Sequence, residues 1–120
     1  ALYNLGNAYY MKGEIEKSIS SYQLALKLNP KSPECHFNIA TAYNDAMSYS
    51  LAQHHFETSL KLNDKNSDTY YELGRLFQIR DYDIDLKKAE DYYLKALKFD
   101  PNHEKAKVAL QQVQTVLLNS

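Results

Sequence analysis

The chain has 120 residues, room for one domain of ordinary size, and 44% of them are hydrophobic, enough to bury a core. With 14 Lys and Arg against 15 Asp and Glu, the net charge of −1 lacks the basic excess of a general nucleic-acid or membrane-surface binder. A lone cysteine, Cys35, excludes an internal disulfide, and three Gly and three Pro are too few for a phosphate-cradling loop or a turn-rich β sandwich.

Apolar residues at helical spacing predict helices over 1–12 and 15–28, with Gly13 between them where a left-handed residue ends a helix. Ser32-Pro33-Glu34 sets a cap, a first-turn proline and a first-turn acid in order, so a third helix is predicted over 33–46. A fourth follows over 49–62. Ser67-Asp68 marks the start of a fifth over 67–80, a sixth covers 86–99, and Asn102 marks the start of a seventh over 103–118.

The helices come in a repeat. Gly6, Ala40 and Gly74 are small residues 34 positions apart, and each is followed three residues later by an aromatic, Tyr9, Tyr43 or Phe77. Ser18, Ala52 and Ala89 are small again, with Tyr22, Phe56 and Tyr93 four residues on. Ala25-Leu26, Ser59-Leu60 and Ala96-Leu97 come next, and the repeats close on Asn29-Pro30, Asn63-Asp64 and Asp100-Pro101.

This pattern resembles the tetratricopeptide-repeat family, and the resemblance covers about residues 1–118. Leu2, His36 and Tyr70 stand where that family prefers Trp; Ala40, Ser59 and Asp64 replace its preferred Gly, Ala and Pro. The resemblance implies an all-α solenoid forming a single domain over 1–120. Its repeats would span about 1–32, 33–66 and 67–103, followed by a capping helix over 104–118. In the last helix Lys107, Gln111 and Gln114 make a polar outer face, while Ala106, Leu110, Val113 and Leu117 stay apolar to cover the third repeat. The N-terminal end carries no such polar cap and begins at Ala1, so further repeats before it, or end-to-end self-association, are expected. Repeat three carries three extra residues in its turn, within Arg80 to Asp85.

No constellation points to chemistry. Asp81-x-Asp83-x-Asp85 opens like a calcium loop, but Leu86 replaces the required Gly and Tyr92 the closing Glu. His54 and His55 are adjacent, a spacing that cannot grip one metal ion from a helix face. His36 reads as a packed histidine and Cys35 as a small buried residue. No nucleophile–base set is visible, so the chain is expected to be non-enzymatic, with no cofactor and no metal. No run approaches the ~18 apolar residues of a membrane span, so membrane insertion is not expected; the thiol usage suits a cytoplasmic or other reducing intracellular compartment.

The resemblance also implies a concave groove lined by the first helix of each repeat. Its lining would be Tyr3, Asn4, Asn7, Tyr10 and Met11; then Glu34, Phe37, Asn38, Thr41, Asn44 and Asp45; then Asp68, Tyr71, Glu72, Arg75, Gln78 and Ile79. Lys105, Val108 and Gln112 would follow from the last helix. An aromatic recurs as Tyr3, Phe37 and Tyr71, and an amide as Asn4 and Asn38, with Glu72 at the third place. Amides donate and accept at once and can hold an extended backbone of any sequence. This row is similar to the asparagine rows of O-GlcNAc transferase and kinesin light chain repeats. The chaperone-tail clamp of the family needs cations where Tyr3, Asp68 and Glu72 stand. The groove residues named carry more acid than base, so the expected ligand is a neutral or basic extended protein segment rather than an acidic tail or a nucleic acid. The alternative is a structural module that contacts partners through its convex face or neighbouring repeats, and a second alternative is a chaperone-tail-binding co-chaperone domain.

Overall fold

The computed structural model describes residues 1–80 and 84–119. Within them the chain forms α1 (Leu2–Met11), α2 (Ile15–Leu28), α3 (Pro33–Asp45), α4 (Tyr49–Leu62), α5 (Ser67–Ile79), α6 (Leu86–Phe99) and α7 (Glu104–Leu118). No strand occurs among the described residues, so the fold is all-α. The chain divides into two compact units, Ala1–Asp64 and Lys65–Ser120. Of the insertion expected within Arg80 to Asp85 and the aspartate run that opens like a calcium loop, Asp81, Tyr82 and Asp83 lie outside the described residues, while Asp85 caps α6, its Oδ1 accepting from the Lys88 N–H at 3.0 Å.

In the first unit α1 packs on α2 and α3 on α4 as helical hairpins, and α2 packs against α3. Small residues permit the close approach. Gly6 is buried against the Tyr22 ring, and Ser18 Oγ donates to the Gly6 carbonyl at 2.9 Å. Ser59, buried in the second hairpin, donates to the Pro33 carbonyl at 2.9 Å, which satisfies a hydroxyl where the family prefers Ala. Tyr22, Ile39, Ala40, Ala52 and Phe56 fill the interior. The turn after α1 contains Gly13 at φ 80°, as the sequence predicts; 34 positions later Met47 holds φ 62° with a side chain that L-residues rarely carry there.

In the second unit α5 and α6 form a hairpin and α7 packs mainly on α6. Phe77, Ala89, Tyr93, Ala109 and Val113 make its core, with Leu86, Leu110 and Leu117 partly buried against it. Lys107, Gln111 and Gln114 are exposed, so the outer face of α7 is polar as expected. The inner face differs slightly: Ala109 is buried with Ala106 and Val113, while Leu110 and Leu117 flank it half-buried.

Two caps also shift by one residue. Ser32 caps α3 as expected, its Oγ accepting from the Cys35 N–H at 3.2 Å. The cap of α5 is Asn66 rather than Ser67-Asp68, with Asn66 Oδ1 accepting from the Asp68 N–H at 3.0 Å. The cap of α7 is His103 rather than Asn102, its Nδ1 accepting from the Ala106 N–H at 3.1 Å. A histidine nitrogen can fill the role of the usual short polar side chain once its ring is held, and here Nε2 donates to Asp68 Oδ1 at 2.8 Å.

Candidate peptide-binding surface

The first unit brings Tyr3, Asn7, Phe37, Asn38 and Thr41 together where α1 faces α3. Asn38 Nδ2 donates to Tyr3 Oη at 2.9 Å and to Asn7 Oδ1 at 3.0 Å. Asn7 Oδ1 also accepts from the Tyr22 hydroxyl. The amides expected to meet a ligand are therefore largely committed to one another and to tyrosines. Asn38 Oδ1 and Asn7 Nδ2 take no part in these bonds and keep an acceptor and a donor. Thr41 donates its hydroxyl to the Phe37 carbonyl at 3.0 Å, which leaves its methyl group forward. Asn4 lies exposed on α1.

Asn7, Phe37, Asn38 and Thr41 line a hollow of about 180 Å³ together with Tyr10, Met11 and Tyr22; Tyr3 and Asn4 stand outside its lining. Its walls are chiefly apolar. Tyr10 and Met11 lie where the groove positions place them, but Tyr22 reads in the sequence as a core residue only. It is 2% exposed, yet its hydroxyl reaches the hollow's polar edge. Burial pushes the Tyr22 phenol upward, so the hydroxyl stays protonated and keeps donating. At the rim, the Tyr10 hydroxyl donates to Asp45 Oδ2 at 2.5 Å.

In the second unit Tyr71, Glu72 and Arg75 sit on α5. Tyr71 packs against the rings of His103 at 5.1 Å and Tyr93 at 5.9 Å. Burial raises the Glu72 carboxyl above its ordinary value, an effect opposed by Arg75, whose Nη1 lies 3.5 Å from Glu72 Oε1. Asp68 is tied to His103, and Gln78 Oε1 accepts from the Tyr93 hydroxyl. Tyr71 also borders a shallow depression of about 320 Å³ with Lys105, Val108 and Gln112, expected from the sequence, and Glu104 and Ala109, which were not. Asn44, a further amide expected to face a ligand, instead has an enclosed Oδ1 with no hydrogen-bond partner. Among the described residues no group of three or more His, Cys, Asp or Glu could hold a metal ion, and no helix is long and apolar enough to cross a membrane.

Known proteins share this architecture. A family model described as "TPR repeat" matches residues 6–45, and one described as "Tetratricopeptide repeat" matches residues 85–103. The chain is 32% identical over 99 residues to the general transcriptional corepressor trfA of Dictyostelium discoideum, covering 82% of this chain and 7% of that protein. It is 30% identical over 102 residues to the BBSome complex member BBS4 of Bos taurus, covering 85% of this chain and 19% of that protein. The chain thus spans less than two-thirds of either relative. Among solved structures, the first TPR of Spaghetti (RPAP3), bound to the HSP90 peptide SRMEEVD, superposes with a TM-score of 0.89 at 23% identity, covering 98% of this chain and 90% of that one. The Sgt2 TPR domain of Aspergillus fumigatus superposes with a TM-score of 0.85 at 26% identity, covering 97% and 76%.

Proposed function

We propose that this chain, which belongs to the tetratricopeptide-repeat family, is a non-enzymatic protein–protein interaction module that holds an extended, neutral or basic partner segment on the face that α1 and α3 form in the first unit. The observation that carries this reading is the hollow between α1 and α3, lined by Tyr10, Tyr22 and Phe37 with the amides of Asn7 and Asn38 beside them. Such a surface offers apolar contact at low entropic cost with backbone hydrogen bonding beside it. The only charges on α1 and α3 are Glu34 and Asp45, which favours a basic segment over an acidic one. The peptide of the Spaghetti complex, SRMEEVD, ends in three residues of which two are acidic, a charge this face does not answer.

The test is affinity capture with the 120-residue chain as bait, beside the double variant Asn4→Ala/Thr41→Lys. Loss of bound partners with unchanged helical content supports the reading. An unchanged set of partners sinks it and favours the structural alternative. One observation speaks for that alternative: Leu5 is 43% exposed, whereas Ile39, its counterpart 34 positions on, is fully buried. The α1 face can therefore accept a further packed helix, from another repeat or another copy.

A further inference from the structure

The hollow of the first unit has a definite size and a definite edge, and together they describe what fits. About 180 Å³ is too small for a whole small molecule, whose pockets run to roughly 300–1,000 Å³. It suits one side chain. Most polar groups around it are spent internally, the Tyr22 hydroxyl and Asn38 Nδ2 on Asn7 Oδ1 and the Thr41 hydroxyl on the Phe37 carbonyl, which leaves Asn38 Oδ1 and Asn7 Nδ2 for a ligand's backbone. A polar ligand side chain entering the hollow would lose water and find little to bond, so the wall selects an apolar one. Met11, 85% exposed at the mouth, is a flexible thioether able to fold over whatever enters.

Charge fixes the flanks. No cation occurs on α1 or α3, and Asp45 stands at the rim, where the Tyr10 hydroxyl holds its carboxylate at 2.5 Å. A carboxylate has acceptor capacity beyond that one bond, and a lysine or arginine next to the anchoring residue would use it.

We propose that the hollow between α1 and α3 receives a single unbranched or γ-branched apolar side chain, Leu or Met, from an extended partner segment whose neighbouring basic residue pairs with Asp45. This rests on the reading above that the α1–α3 face takes a partner segment, and adds to it the residue class that anchors the segment.

The test is titration of the isotope-labelled 120-residue chain with blocked heptapeptides Gly-Ser-X-Lys-Lys-Ser-Gly, where X is Leu, Met, Ala or Asp, followed through the side-chain amide signals of Asn7 and Asn38. The Leu and Met peptides are expected to bind about tenfold more tightly than the Ala peptide, with Asp weakest. Replacing both peptide lysines by glutamates is expected to weaken binding by about tenfold again. Thr41→Leu, which fills the hollow, should bring the Leu and Ala peptides to equal affinity; should that variant not fold, the peptide series on the wild type decides alone. Equal affinities for Leu and Ala, with both amide signals moving, would overturn the anchor while leaving the groove reading intact. Absence of any movement at Asn7 and Asn38 with millimolar peptide would overturn it as well, and the capture experiment then decides the groove reading by itself.

Discussion

Gly6 and Tyr22 touch so closely that a methyl group on residue 6 would lie 2.6 Å from Cδ1 and Cε1 of the ring. The same relation recurs in the second unit, where a Cβ on Gly74 would meet Tyr93 Cε1 at 2.5 Å. In the intervening repeat the pair is Ala40 with Phe56, both fully buried. Ring and α-carbon stack where the two helices of a hairpin cross, and neither ring is the free end of a flexible chain. An exposed helical Gly→Ala change gains about 1 kcal/mol. Here overpacking costs about 1–3 kcal/mol, so Gly6→Ala and Gly74→Ala should each give a net loss. Urea denaturation measures it, and a gain in stability would mean the rings move aside.

Met47 at φ 62° should be an easy position to improve. The left-handed conformation costs an L-residue about 1–2 kcal/mol, and Gly occupies the matching turn at position 13. Met47 is 75% exposed, so its side chain contributes little packing. Met47→Gly is expected to raise stability by about 1 kcal/mol, seen as a higher melting temperature with no change in helical content.

A histidine pair makes the first unit sensitive to acid. His36 Nε2 lies 2.8 Å from the Pro30 carbonyl, which can only accept, so that nitrogen carries the proton. His36 Nδ1 is then a lone pair, and it accepts from His55 Nδ1–H at 3.0 Å. The His55 ring is also stacked on Tyr43 and set edge-on to His54. Burial first, then His36 and His54, lower the His55 pKa from 6.5 to about 4. The unfolded chain takes up a proton near pH 6.5 that the folded chain refuses until about pH 4. Stability is therefore full above pH 6.5 and declines as pH falls through that window. Denaturant midpoints should drop between about pH 7 and about pH 4.5, and His55→Gln, which keeps a donor toward His36, should flatten the decline. An identical slope in the variant would assign the acid sensitivity elsewhere.

Cys35 should be inert while the chain is folded. It is 2% exposed, its Sγ lies 3.8 Å from the Tyr22 carbonyl, and burial raises the thiol to about 11. Since the thiolate is the reactive form, the folded chain should react with a disulfide reagent at least about 100-fold more slowly than a free thiol. Urea should restore the full rate. Fast labelling without denaturant would contradict the burial.

The His103–Asp68 contact holds the start of α7 to the start of α5. His103→Ala removes both this contact and the cap on the Ala106 N–H. A loss of about 1 kcal/mol is expected, and His103→Asn should recover the cap's share. Equal losses in the two variants would mean that the cap contributes nothing.

The helices were legible in the sequence almost to the residue: 15–28, 49–62 and 86–99 agree with α2, α4 and α6 at both ends. Apolar periodicity is a local property, and Gly13 and Ser32 carry stop and start signals that need no distant partner. The caps at Asn66 and His103 were less legible because a cap is a side chain's bond to a particular N–H, and the His103 ring that makes one is also held by Asp68, 35 positions away in the chain.

The sequence by itself determined that these residues are helices in a 34-residue rhythm, because spacing along the chain decides which face of each helix is apolar. Only the tertiary structure decided what the polar residues between those faces do. Asn38 meets Tyr3 and Asn7 across 35 and 31 positions of chain, and Tyr93 meets Gln78 across 15, so their hydrogen bonds exist only once the hairpins pack. An amide row that reads as open to a partner is mostly closed upon itself, because a side chain satisfies the nearest group that packing brings to it before any that arrives from outside.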